Sequence, residues 1–395
     1  MSNDKNAQEL LKWGLTHSSN AVTAASGPSV EQISADIEAG RRPDLADPHL
    51  YDAIMGKSEA QMMREELSVA VDPTRTLDDR CTALDNFEML IEQIDNANNI
   101  TSMKMWAPLI ALLSASEAEL QTAAAWILGT AVQNNDKAQM AVLEYSPVSS
   151  LVDLLQSENA EVRAKAMYAL SGLLKHNPAA MDQFDQMDGW KVLKSALVDP
   201  NIGLRRKTAF LLNALLFQDP NLFDSPSSST TPSNTTTSTA TAVAPVTPAT
   251  TAAGAPAAPL ERGPETLLTS VPHPNVSRAL LTSGLLHTLI SSLLPSDSNH
   301  ADLLPPSGPD GDADPHTDLD YAEKAATAVL TFTAKLPPAG TPAQLDDKSK
   351  ALLKALLDQL QGAALDAADG STSRWAELGI EQQDFDAFKQ RVEAL

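Results

Sequence analysis

Between Leu109 and Asp219 the apolar positions recur in blocks. "LIALLSASEAELQTAAAWILGTAVQNN" begins at Leu109, "LVDLLQSENAEVRAKAMYALSGLLKHN" at Leu151 and "LKSALVDPNIGLRRKTAFLLNALLFQD" at Leu193, a constant step of 42 residues. Trp126, Tyr168 and Phe210 share one column, Leu128, Leu170 and Leu212 another, and Val132, Leu174 and Leu216 a third. Leu120, Val162 and Leu204 mark the entry to the long apolar stretch of each block. Within a block the apolar residues fall at helical spacing, as Ala124, Ile127, Leu128 and Ala131 do. Each block therefore reads as a short helix ("PLIALL", "SSLVDLL", "WKVLKSAL"), a polar turn and a long helix.

One such unit cannot bury its apolar face alone, but stacked neighbours make a continuous core. A helical period of this length is the mark of armadillo-type arrays, and a short helix before a long one fits armadillo better than two even helices. The fold class expected is all-α: an armadillo-like right-handed solenoid with C-terminal capping helices. An earlier unit fits residues 60–100, with "EAQMMREELSVAVD" as first helix, "TLDDRCTALDNFEMLIEQID" as long helix, and Leu84 standing 42 before Trp126. The repeats, about four, occupy 51–222. Before them lie an N-terminal helical segment, 1–18, and a flexible link, 19–50. After them, 223–262 is low-complexity Ser/Thr/Pro/Ala sequence, expected to be a disordered insertion because it cannot bury enough apolar surface to order itself. Helical patterning resumes over 263–395 around a second disordered stretch, 295–318.

Composition narrows the function. Hydrophobic residues make up 43% of the 395 but aromatics only 4%, an aliphatic core suited to helices. The formal net charge of −23 argues against nucleic acid and anionic membranes, since both are bound through Lys and Arg. No stretch matches a signal peptide or a membrane span, so the expected location is the cytosol, with the nucleus also open. The lone Cys81 excludes an internal disulfide or a Cys-based zinc site and reads as a small buried hydrophobe. The seven histidines are scattered, and His176 and His287 sit on helices without a second ligand. "DGDADPHTDLDY" imitates a calcium loop but has Pro315 where glycine is needed and Tyr321 where a bidentate Glu is needed. Asp182, Asp185 and Asp188 read as an exposed turn between repeats. No metal, no cofactor and no catalytic constellation is expected, and the protein reads as a binding protein rather than an enzyme.

Solenoids bind through the concave face made by their long helices. Whether Trp126, Tyr168 and Phe210 face that groove or the core is open, and their regular spacing favours the core. Armadillo nuclear-import receptors place Asn four residues after a groove Trp to clamp an extended peptide. Here those positions hold Thr130, Gly172 and Ala214, so that mode is disfavoured. Three residues before the aromatics stand Ala123, Lys165 and Lys207, and "GLRRKTAF" concentrates Arg205, Arg206 and Lys207 in an acidic chain. These suit either a solvated helix face or a contact for an acidic partner. The amide cluster "DNANN" closing the first long helix is a second candidate contact.

"ELLKWGL", "LDNFEMLIEQIDNANNI", "AAAWILGTAVQNN" and "RRKTAFLLNALL" together resemble the armadillo-type nucleotide-exchange factors of DnaK-type (70-kDa heat-shock) chaperones, above all the fungal cytosolic members. The resemblance covers 1–20 and 60–220 and is weak beyond 263. It implies a groove that wraps one lobe of the chaperone's nucleotide-binding domain and accelerates ADP release. It points to Ala97 in the loop after the first long helix, with Asn98 and Asn99 beside it, and to Lys207. Asn134, Asn135, Lys165 and Arg206 complete the candidate contacts. It also implies a client-releasing N-terminal segment, for which Leu10, Leu11 and Trp13 are apolar enough, though they suit equally a helix docked on the first repeat. A generic armadillo scaffold is the alternative, and in either case a monomer is expected.

Overall fold

The computed structural model describes residues 57–221, 271–295, 316–337, 345–365 and 372–395, besides Ala35, Ala39 and Arg41. The expected N-terminal helix with Leu10, Leu11 and Trp13, the 223–262 insertion and all but those three positions of the 19–50 link lie outside the described residues. The chain divides into two compact units, Met1–Glu65 and Glu66–Leu395. In the first, Ser58 accepts from the Gln61 backbone N–H as helix α1 (Glu59–Val71) begins.

In the second unit the regular elements among the described residues are all helices. They are α2 (Leu77–Ile91), α3 (Ile94–Ser102), α4 (Trp106–Leu112), α5 (Ala118–Val132), α6 (Asp136–Leu143), α7 (Pro147–Leu154), α8 (Ala160–Leu174), α9 (Pro178–Gln186), α10 (Gly189–Leu197) and α11 (Ile202–Gln218). Beyond the insertion follow α12 (Val276–Thr282), α13 (Leu285–Ser291), α14 (Leu319–Ala334), α15 (Asp347–Gln361), α16 (Arg374–Glu377) and α17 (Gln382–Glu393).

Each of the three repeats between Ile94 and Gln218 thus holds three helices, not the two expected. α3, α6 and α9 are the extra members, starting at Ile94, Asp136 and Pro178. Their polar composition hid them. Asp182 and Asp185 lie on α9 rather than in a turn, and Asp185 accepts from Trp190 Nε1 at 2.6 Å. The corner between first and second helix is also periodic. Lys104, Ser146 and Asp188 have φ of 57°, 55° and 57°, and Gly284 takes the same left-handed place at 76° before α13. Three side-chain-bearing residues accept a strained backbone there because a glycine-like turn is needed to reverse the chain.

The long helices α2, α5, α8, α11 and α14 pack side by side in chain order. Polar caps start most of them: Thr76 accepts from Asp79 N–H, Asn159 from Glu161 and Val162, Asn201 from Leu204 and Asp318 from Tyr321. The columns Leu120/Val162/Leu204, Leu128/Leu170/Leu212 and Val132/Leu174/Leu216 are at most 2% exposed. One register needs correcting. α2 and α5 start at Leu77 and Ala118 and end at Ile91 and Val132, so Trp126 corresponds to Asp85, not to Leu84. The connection 92–93 is one residue shorter than 133–135, which accounts for the slip.

The solenoid continues across the insertion. Asp219, 2% exposed, accepts from the Val276 backbone N–H at 2.8 Å, and Asn221 Nδ2 donates to the His273 carbonyl at 2.9 Å. α12, α13 and α14 then make a further three-helix unit, and α17 packs on α14 and α15 to close the array. The expected disordered stretch 295–318 is too long at its end. His316 is bonded to the Leu293 carbonyl and to Arg374, and Asp318 caps α14.

Candidate functional site

The faces of the long helices turned from the core carry a ladder of side chains, and it includes the aromatic column. Trp126 and Tyr168 are half-buried and Phe210 is 50% exposed, so the expectation that they are core is overturned. The true core of each long helix already fills with Leu and Ala one position to either side, such as Ala125, Ile127, Ala169 and Leu211. Tyr168 packs against Gly129, where an added Cβ would meet the ring at 2.3 Å. Lys165 Nζ stands 3.7 Å over the Trp126 ring centroid, and Lys175 stands 5.9 Å from that of Phe210. Burial pulls the Lys175 ammonium below its ordinary pKa.

The basic stretch of α11 is divided among three duties. Arg205 is fully buried and donates from Nε to the Asp199 carbonyl. Arg206 is committed to α14: Nε donates to Asp318 at 3.0 Å, Nη2 pairs with the same carboxylate, and Asp320 lies 3.3 Å away. Only Lys207 is exposed, and among the described residues no ion pair holds it. Of the proposed basic contact, Arg205 and Arg206 are therefore architectural.

The amide cluster divides similarly. The long helix ends at Ile91, and the cluster belongs to α3 rather than to a loop. Ile94 starts that new helix and is 58% exposed, so it does not extend the apolar face of α2. Asn96 Nδ2 donates to the Leu90 carbonyl at 2.8 Å, satisfying an orphan acceptor at the end of α2. Ala97 is 2% exposed and so is not the surface position expected. Asn98 is half-buried, its Oδ1 enclosed without a hydrogen-bond partner, and Asn99 is exposed. In the next unit Asn135 is 5% exposed and caps α6, accepting from Ala138 N–H, whereas Asn134 is exposed at φ 51°.

Some groups on this face had no place in the sequence reading. Met89, 68% exposed, and Phe217, 81% exposed, lie one turn and two turns beyond the aromatic position of their helices. Extending the columns along each helix would have found them. Cys81 is half-buried, not core, and burial, followed by Glu119 and Asp85, pushes its thiol pKa up. With Asp85, Glu119, Trp126 and Lys165 it lines a recess of about 360 Å³. Among the described residues no group of three His, Cys, Asp or Glu could hold a metal, and no helix is long and apolar enough to cross a membrane. His176 sits in the turn after α8 and donates its backbone N–H to Gln218 Oε1, and His287 meets Ser349 at 2.8 Å.

A face of this kind, one exposed ladder on stacked long helices, offers a surface on which another molecule can dock. Solved structures agree on the fold. A designed armadillo repeat protein superimposes with a TM-score of 0.50 at 13% identity, over 86% of this chain and all of its own. Two family models match in tandem: "Nucleotide exchange factor Fes1" over residues 7–100 and "SIL1/FES1/HPBP1 C-terminal domain" over 96–240. A protein of Mycosarcoma maydis described as "Hsp70 nucleotide exchange factor FES1" is 68% identical over 397 aligned positions, covering the whole of both chains. The protein of that description in Neurospora crassa is 39% identical over 38% of this chain and 70% of its own. That in Cryptococcus neoformans is 42% identical over 30% and 31%. With its N-terminal and solenoid portions both matched and a relative aligned from end to end, this chain belongs to the Fes1 family of nucleotide exchange factors.

Proposed function

We propose that the chain binds the nucleotide-binding domain of a 70-kDa heat-shock chaperone, accelerates ADP release and so promotes ATP rebinding and client release. The observation that carries this is the end-to-end relation to a protein described as an Hsp70 nucleotide exchange factor, at 68% identity. The exposed ladder of the long helices supplies a surface for the task. The mechanism is linkage. A protein that binds the opened, nucleotide-poor domain better than the closed ADP form must weaken ADP by the same factor, and couplings of this kind run roughly 5–150-fold. No side chain of this chain need touch the nucleotide or break a bond, so the protein works as a regulator and not as an enzyme. It acts as a cytosolic monomer, without nucleic acid or membrane.

The contacts we assign are the residues of the candidate set that stand exposed: Lys207 on α11, Asn99 on α3 and Asn134 after α5. A lysine there offers a point charge to a carboxylate of the partner, and the amides offer donor and acceptor together. The test is release of a fluorescent ADP analogue from a DnaK-type chaperone with and without this protein. Acceleration is expected. No acceleration, together with no complex on gel filtration, overturns the reading and leaves an armadillo scaffold for another partner.

A further inference from the structure

Where α2, α5 and α8 meet, the ladder face opens into the recess of about 360 Å³. Half-buried Trp126 lines it, and so do three exposed carboxylates, one from each helix: Asp85, Glu119 and Glu161. A cation already stands in it. Lys165 places its ammonium 3.7 Å over the indole centroid and forms no ion pair with any of the three acids. The ring is thereby satisfied while the carboxylates are left to water. An ammonium is a compact point charge and cannot cover a ring face and bridge several carboxylates at once. A guanidinium can stack flat on the indole and keep its in-plane N–H groups for the acids.

The electrostatics of the face agree. Glu119 and Asp85 add to burial in raising the Cys81 thiol at this same recess. Toward α11 the sign reverses, with Lys175 over Phe210 and Lys207 exposed. A basic side chain approaching the ladder is drawn to one end only.

We propose that the recess receives an arginine side chain of the partner protein, which displaces Lys165 from the Trp126 ring and pairs with Asp85, Glu119 and Glu161. As a statement about the chaperone it rests on the function proposed above, and it fixes the direction in which that partner lies along the groove. Lys165 is then a resident place-holder, not a contact for an acidic partner.

The two roles of Lys165 give opposite signs. Affinity for the chaperone's nucleotide-binding domain is measured by titration calorimetry with the full chain and its variants. Lys165→Gln frees the ring and tightens the complex about two- to fivefold, the range set by an exposed cation–π contact. Glu119→Gln with Glu161→Gln weakens it about tenfold and flattens its salt dependence. Lys207→Gln weakens it. A Lys165→Gln variant that binds equally or less tightly overturns the proposal. A second arm needs no chaperone. Tetra-arginine is titrated against the chain with tryptophan fluorescence as readout, Trp126→Phe as blank and Lys137→Gln as a control of equal charge change. The response belongs to Trp126 and grows in Lys165→Gln but not in Lys137→Gln. An equal response in the blank, or equal growth in the control, overturns the recess. If the peptide arm holds and the chaperone complex fails, the proposed function falls and the recess stands.

Discussion

Two polar stretches stand out in this sequence, the amides of α3 and the cations opening α11, and the structure treats them differently. The α3 amides work nearby. Asn96 reaches six residues back to the Leu90 carbonyl, and Ala97 fits beneath the helix at 2% exposure. The α11 cations work at a distance. Arg206 reaches 112 residues on in sequence, to the carboxylate that caps α14. The chemistry explains the split. A short neutral amide pairs well with an orphan carbonyl at a helix end. A long charged guanidinium needs a carboxylate, and the nearest one in space belongs to the next unit. In both stretches most of the polarity is taken up by architecture, and what remains for a partner is the residue left over: Asn99 in one, Lys207 in the other.

The strongest way to break this comparison is Ala97→Arg. If Ala97 faced a partner, the variant would lose binding and keep its melting curve. Buried within α3 at 2% exposure, it must instead admit a long cation into a packed position. We expect a loss of roughly 3 kcal/mol or more in urea unfolding, from overpacking plus an unpaired charge. An unchanged unfolding midpoint would return Ala97 to the surface and merge the two stretches into one kind of site.

Arg206→Ala comes next. Asp318 is nearly buried, but Arg206 is 36% exposed, so solvent screens their pair and we expect about 1 kcal/mol rather than the larger cost of a fully buried one. The pH dependence has a definite sign. Burial raises the Asp318 carboxyl, but Arg206 and the Tyr321 N–H outweigh it and hold the group below its ordinary 3.8. A depressed carboxyl stabilises the fold above its ordinary pKa and loses that contribution as pH falls through the folded value. The advantage of the native chain over Arg206→Ala is therefore full at neutral pH and shrinks below about pH 4. A constant gap down to pH 3 would mean that Arg206 contributes through packing alone.

These cases also mark what could be read from the sequence. The long helices were legible because their apolar columns repeat every 42 residues with Leu and Ala at the core positions. The first helices of the units were not, because α3, α6 and α9 bury few residues each and look like polar turns. The aromatic column was found but turned the wrong way. Periodicity shows that Trp126, Tyr168 and Phe210 share a face; it does not say which of two adjacent faces meets the neighbouring helix. The candidate contacts mixed capping, bridging and free residues, since Asn135 and Asn99, or Arg206 and Lys207, are indistinguishable until their partners are in place. Those partners lie a few residues away in one case and 112 in the other, and single-chain patterning carries no signal for the second.

The smallest effect on stability should come from Lys207, which is why it is the sharpest probe of the comparison. It stands beside Arg206 in sequence and shares its charge, yet no ion pair among the described residues engages it. Lys207→Ala should shift unfolding by less than about 0.5 kcal/mol, as surface changes do. If Lys207 meets a desolvated carboxylate of the chaperone, the same change should weaken the complex roughly tenfold or more and slow nucleotide release in step. Arg206→Ala should show the reverse ranking, costing stability first and binding only as far as the α11–α14 joint loosens. Measured together, the pair separates a cation that holds the solenoid from one that the solenoid holds out. Should Lys207→Ala leave both unfolding and binding untouched, the basic stretch would be architecture throughout, and the grip on the partner would rest on the aromatic ladder and the amides of α3.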